Sequence, residues 1–178
     1  NLGRARFLLG RSYAQERRFP EALAESSRGL HIMEEYVTKA RNPKVRDLYR
    51  HFLKTAHFDQ GQCFVGMGDL ARANKEYLIA LHIRLEQMAS RDVEASDSLI
   101  ASNLGMNCIW QNDRKGARRF FQLAVAADPR NVQALNNLGM FYFQAQRTGL
   151  ARLFFERALK VDPLFRPAWE NLKKVEHW

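Results

Sequence analysis

NNLGMFYFQAQRTGLARLFFERALKVDP, residues 136–163, decides the fold, because the same pattern stands 34 residues upstream as SNLGMNCIWQNDRKGARRFFQLAVAADP, residues 102–129. Leu138-Gly139, Tyr142, Ala151, Phe155, Ala158 and Pro163 fall over Leu104-Gly105, Cys108, Ala117, Phe121, Ala124 and Pro129. One step downstream, Trp169 and Leu172 take the places of Leu135 and Leu138. A fixed period of this size marks a stacked array, in which one two-helix unit cannot bury its apolar face alone.

Working outward, the helical signals are clear. Leu150, Ala151, Phe154, Phe155, Ala158 and Leu159 form one stripe of a 3.6-residue helix, as do Ala117, Phe120, Phe121, Ala124 and Val125. Asp-Pro at 128–129 and 162–163 ends each second helix, since proline cannot continue the hydrogen-bond ladder, and Asn131 reads as an N-cap. The N-terminal half repeats less regularly. Leu9-Gly10, Tyr13 and Ala22 make one unit, with Phe19-Pro20 at its turn; Gly61, Phe64, Ala73, Tyr77 and Ala80 make a second. The marker glycines at 10, 61, 105 and 139 are spaced 51, 44 and 34 apart. Longer helices absorb the difference: a second helix over 21–39, a break at Arg41-Asn42-Pro43, and a first helix over 44–67. Gly68-Asp69 reads as a C′ glycine followed by an N-cap, and Arg91–Ser96 as a polar connection. Four hairpins and a final helix over about 165–177 account for the chain with no strand. That last helix presents Trp169, Leu172 and Val175 on one face and Glu170, Lys173, Lys174 and Glu176 on the other, as a capping helix should. The N-terminal edge, where Asn1-Leu2 leads straight into helix, has no such cap.

Composition narrows the function classes. The net charge is +9 and is uneven: +5 over 1–53, −2 over 54–97, +3 over 98–131 and +3 over 132–178. A basic surface attracts acidic proteins, nucleic acid or anionic membranes, or serves solubility alone. Cys63 and Cys108 are too few for a disulfide framework and read as packing residues, which fits an intracellular, reducing compartment; cytoplasm, nucleus and mitochondrion stay open. No apolar run is long enough to span a membrane, and a chain that starts at Asn1 rather than Met reads as a fragment or processed product. Catalysis finds no support. His31, His51, His57, His82 and His177 are scattered, and His51 and His57 fall on opposite sides of a helix. No phosphate loop and no nucleophile–base pair stands out, so no cofactor, metal or small-molecule substrate is expected.

The repeats at 98–131 and 132–165 resemble the tetratricopeptide repeat; those at 3–53 and 54–97 resemble it more loosely, and 166–178 follows as a capping helix. The resemblance implies an all-α, right-handed α-solenoid over 1–178. It also implies a binding scaffold whose groove is lined by first helices and takes an extended peptide or helix of a partner protein, as a subunit or assembly factor of a larger complex. Asn103, Asn137 and Asn171 recur in phase there. In the similar repeats of O-linked N-acetylglucosamine transferase and kinesin light chain, a comparable ladder grips a peptide backbone, for which an amide supplies both donor and acceptor. Met106 and Trp110 beside it, with Asn136, Met140, Phe143 and Gln144 on the next helix, suit a peptide or plain packing. Arg4 and Arg11 on the first helix suit an acidic partner or a solvated face. The chaperone-docking subtype needs a set of cationic and amide side chains in the groove; Phe7, Phe58 and Ser102 stand in those places, so a chaperone tail is disfavoured. Residues 151–159 with Trp169 and Glu176 also resemble the half-a-tetratricopeptide repeat of RNA-processing scaffolds. That leaves an RNA-associated protein, using Arg114, Lys115, Arg118 and Arg119, as the alternative.

Overall fold

In a computed structural model of the chain, which describes residues 2–86 and 95–177, the described residues form nine helices and no strand. These are α1 (Leu2–Gln15), α2 (Phe19–Lys39), α3 (Pro43–Gly66), α4 (Leu70–Glu86), α5 (Ala95–Trp110), α6 (Arg114–Ala127), α7 (Val132–Gln144), α8 (Thr148–Val161) and α9 (Arg166–Glu176). The contacts divide the chain into two compact units, Asn1–Arg91 with α1–α4 and Asp92–Trp178 with α5–α9. Of the expected connection over Arg91–Ser96, residues 91–94 lie outside the described residues. Helix already begins at Ala95, with Asp97 giving its first turn the negative charge that a helix N-terminus favours. Asn1 and Trp178 also lie outside the described residues.

The four hairpin turns are one structure repeated. Arg17, Gly68, Asn112 and Gln146 have φ of 59°, 79°, 59° and 58°. Each lies seven residues beyond a marker glycine, so the spacings of 51, 44 and 34 recur. At each turn the left-handed residue and its successor donate back into the helix: Gly68 N to Val65 O at 3.0 Å and Asp69 N to Phe64 O at 2.8 Å, then Gln146 N to Phe143 O and Arg147 N to Tyr142 O, both at 2.9 Å. This pair of bonds satisfies the carbonyls that a helix end otherwise strands. Two turns then hand over to a capping aspartate: Asp69 accepts from Arg72 N at 2.9 Å and Asp113 from Gly116 N at 2.9 Å. The first turn sits earlier than expected. Arg17 makes it, and Phe19-Pro20 fall inside the first turn of α2, where a proline lacks no needed donor.

The turns between hairpins are also aspartate-built. Asp128 accepts from Arg130 N and Asp162 from Leu164 N, each at 2.9 Å, so the aspartate of each Asp-Pro pair folds the chain that the proline has broken. Asn131 then caps α7 by accepting from Ala134 N at 3.0 Å, and Asn42 caps α3 by accepting from Lys44 N at 2.9 Å, with Pro43 in that helix's first turn.

Packing inside the hairpins follows the repeat. A methyl at Gly61, Gly105 or Gly139 would meet the ring of Tyr77, Phe121 or Phe155, so each glycine is the seat of the aromatic residue sixteen positions on. Phe121 also reaches Leu138 of the next hairpin, and its ring lies 6.4 Å from that of Phe141. Ala117, Ala124, Ala151 and Ala158 are wholly buried where the two helices close. The first hairpin differs. Ser26 stands where the others carry an aromatic ring, and α1 and α2 meet backbone to backbone: a methyl on Gly10 would lie 2.9 Å from Ala22 O, and one on Gly29 2.9 Å from Gly3 O.

Candidate functional site

In the unit Asp92–Trp178, α5, α7 and α9 are the first helices of successive repeats, and α7 contacts both others. The asparagines do not form a uniform ladder. Asn103 and Asn137 are half-buried, whereas Asn171 is only 8% exposed. Asn171 donates from Nδ2 to Asn136 Oδ1 at 3.0 Å and accepts from Lys174 Nζ at 3.2 Å. Asn136, equally buried, is thus a staple between α7 and α9. Asn137 makes no hydrogen bond through its amide among the described residues. The sequence points to asparagine at this phase; the signal for the staple is the doublet Asn136-Asn137, whose amides point about 100° apart around the helix.

The apolar residues divide as well. Met106 packs against the cluster of Cys108, Ala117, Phe121 and Leu138, and Met140 and Phe143 pack against Ala151, Phe155, Leu172 and Val175. All three are half-buried, with one side in the core. Trp110 is 55% exposed at the end of α5, and Gln144 is exposed at the end of α7 in the same repeat position. The arginines of the alternative reading lie elsewhere. Arg114, Lys115, Arg118 and Arg119 are all exposed on α6, a second helix. Arg152 meets Glu176 at 3.7 Å, which ties α8 to α9.

In the unit Asn1–Arg91 the first helices are α1 and α3. Arg4 lies over the ring of Phe52 at 5.3 Å. Arg11 lies over Phe7 at 5.9 Å, with its Nε 3.2 Å from Asp59 Oδ2. Phe7, expected in the groove, is 3% exposed and belongs to the core with Leu30, Met33, Leu53 and Ala56. Asp59 is the residue that pattern reading missed: nothing local marks an aspartate on α3 as the partner of an arginine on α1. Burial pushes its carboxyl up to about 6 against the pull of Arg11. Beside it, burial first and the Asp59 charge second push the Cys63 thiol up to about 11, which suits a packing role. Arg11, Ala14 and Gln15 of α1 and Asp59, Gln62 and Cys63 of α3, together with Phe19, line a groove of about 280 Å³. His57 pairs with Glu76 at 2.7 Å between α3 and α4. Among the described residues no group of three or more His, Cys, Asp or Glu is placed to hold a metal, and no helix is long and apolar enough to cross a membrane.

Comparison with known proteins agrees with this architecture. Residues 111–165 match the family described as Tetratricopeptide repeat. A probable UDP-N-acetylglucosamine–peptide N-acetylglucosaminyltransferase SPINDLY of Solanum lycopersicum is 32% identical over 107 residues, 60% of this chain and 11% of the relative. Its Arabidopsis thaliana counterpart is 28% identical over 120 residues, 65% of this chain and 12% of the relative. The chain therefore spans about a tenth of the length of these relatives. Among solved structures, BtubC from P. vanneervenii matches 95% of this chain and 69% of its own at TM-score 0.77 and 18% identity. The first tetratricopeptide domain of Spaghetti, solved with an HSP90 peptide, matches 70% of this chain and 94% of its own at TM-score 0.60 and 18% identity.

Proposed function

We propose that this chain, a member of the tetratricopeptide-repeat family, is a protein-interaction scaffold that holds an extended peptide or a helix of a partner and serves as a subunit or assembly factor of a larger complex. The observation that carries this reading is the Asn137 amide on α7, half-buried and without a hydrogen-bond partner among the described residues. A peptide backbone supplies the donor and acceptor that such an amide lacks, whatever the peptide's side chains. One repeat earlier on α5, the exposed Trp110 offers a large apolar surface at low entropic cost. Asn171 is left out of the gripping set, because Asn136 and Lys174 already engage it.

The RNA reading is less favoured. Its basic cluster lies on the second helix α6, not on the first helices α5 and α7 that carry the exposed tryptophan and the Asn137 amide. The test is a photo-crosslinker in place of Trp110, used in native extract with and without nuclease. The expected product is a protein adduct that survives nuclease and is reduced in the Asn137→Ala variant. An adduct that is RNA, or one indifferent to Asn137→Ala, overturns the reading.

A further inference from the structure

We propose that a cavity where α1, α2 and α3 meet is a binding site for one water molecule, which bridges Ser26 Oγ to Asp59 Oδ2 and fastens the first hairpin to α3. The site belongs to this hairpin alone among the four and is independent of the scaffold reading.

The sequence creates the space. In the other three hairpins the aromatic residue sixteen positions beyond the marker glycine fills the seat that the glycine leaves: Tyr77, Phe121 and Phe155. Phe121 shows what such a ring does further, since it also packs against Leu138 of the next hairpin. After Gly10 that position is Ser26. The backbones of α1 and α2 close up beside it, with Ser26 N 3.1 Å from where a methyl on Gly10 would stand. A hydroxymethyl group still cannot extend toward α3 as a ring does. What remains is a cavity of about 10 Å³ lined from all three helices, with Ser26 and Asp59 on its wall. A buried water needs about 10–15 Å³ by the same measure, so the space is the size of one water.

Two polar atoms on that wall lack a partner. Ser26 is 5% exposed, and its Oγ makes no hydrogen bond. Asp59 Oδ2 is equally shielded; Arg11 Nε lies 3.2 Å away, yet the two make no aligned hydrogen bond. Leaving a buried hydroxyl or carboxylate oxygen unpaired is costly, and ordered water is the usual remedy. The chemistry is complementary: Ser26 donates its O–H to the water oxygen, and the water donates to Asp59 Oδ2. The adjacent pair makes the same connection directly, with Gln60 Nε2 donating to Ser27 Oγ at 3.1 Å. Ser26-Ser27 and Asp59-Gln60 are thus two facing doublets at a separation of 33 residues. Gln60 reaches across; Asp59, one methylene shorter, needs the water. A metal ion fits poorly, because one hydroxyl and one carboxylate oxygen are too few ligands and the Arg11 guanidinium beside Asp59 repels a cation.

The test is a crystal structure of the whole chain at a resolution that shows ordered water, with water–protein nuclear Overhauser effects at the Ser26 amide as the check in solution. The expected result is one peak within hydrogen-bond distance of both Ser26 Oγ and Asp59 Oδ2, about 2.5–3.0 Å for a pair of oxygens. The peak should persist in Asp59→Asn, which keeps an acceptor, and vanish in Ser26→Ala. Ser26→Ala should also speed amide exchange in the middle of α2 by about tenfold, since the hairpin loses its fastening to α3. No peak in the parent, a direct Ser26–Asp59 hydrogen bond, or a peak that stays in Ser26→Ala each overturns the site. A peak that appears only with sodium in the buffer is a cation and overturns it as well. Ser26→Ala removes a single atom and should fold; if it does not, the parent and Asp59→Asn decide.

Discussion

Gln146 holds a left-handed backbone, φ 58°, at a position where the corresponding turn of the second hairpin has Gly68 at 79°. A side chain there costs about 1–2 kcal/mol in sterics, offset in part by glycine's greater freedom in the unfolded chain. Gln146→Gly should therefore raise the unfolding free energy by about 0.5–1 kcal/mol in urea melts, and a loss would show that the turn bears no strain. Asp59 makes a second residue-scale prediction. Its folded-state value of about 6 lies above the ordinary 3.8. The folded chain thus binds this proton more tightly than the unfolded one, so the contribution favours folding at low pH and is lost as pH rises from about 4 to 6. The range corresponds to about 2–3 kcal/mol. Asp59→Asn removes that slope, so stability of the variant relative to the parent should be higher at pH 7 than at pH 4. Glu21, Glu25 and Asp69, held low by hydrogen bonds and by their arginine partners, run the other way and are shared by both proteins.

At the scale of elements, two contacts decide how α7, α8 and α9 close. Ala158 is wholly buried against Leu135 and Ala168, one from each neighbouring helix. Ala158→Leu should overpack that seam and cost about 1–3 kcal/mol, read as a lower thermal midpoint. The staple behaves differently. Asn171→Leu alone strands the buried Asn136 amide and should cost about 1–3 kcal/mol, while replacing both asparagines by leucine should recover much of the loss. No recovery would mean that the pair is held by something other than its mutual bond. Helix stops, one cap and one of the four hairpin turns were legible at this scale, because each depends on residues within six positions of one another. Asp-Pro, Asn131 and Gly68-Asp69 fell where the pattern put them. The left-handed roles of Arg17, Asn112 and Gln146 were not legible by residue type, but follow from their offset to the marker glycines.

For the whole molecule, the charge of +9 matters less than its placement. Many of the bases pair with acids, as in Arg6–Glu25 at 2.7 Å and Arg72–Asp69 at 2.6 Å, while Arg114, Lys115, Arg118 and Arg119 of the excess are exposed on the second helix α6. Affinity for a partner peptide should then fall by less than about tenfold between about 50 and about 200 mM salt, whereas six or more phosphate contacts would cost about a thousandfold or more. A steep salt slope would return the RNA reading to first place.

The sequence by itself determined the period, the helices and the caps at Asp69 and Asn131, since these follow from local sterics and from apolar spacing that repeats in phase. It marked asparagine as the residue to watch on the first helices, and it left the three asparagines equivalent. Only the tertiary structure separated them, because whether an amide is free depends on which neighbour arrives: Asn171 meets Asn136, 35 residues away, and Asn137 meets no hydrogen-bond partner among the described residues. The same holds for Arg11. Its exposure suits a solvated face, and only the packing of α3 against α1 sets the desolvated carboxylate of Asp59 behind it.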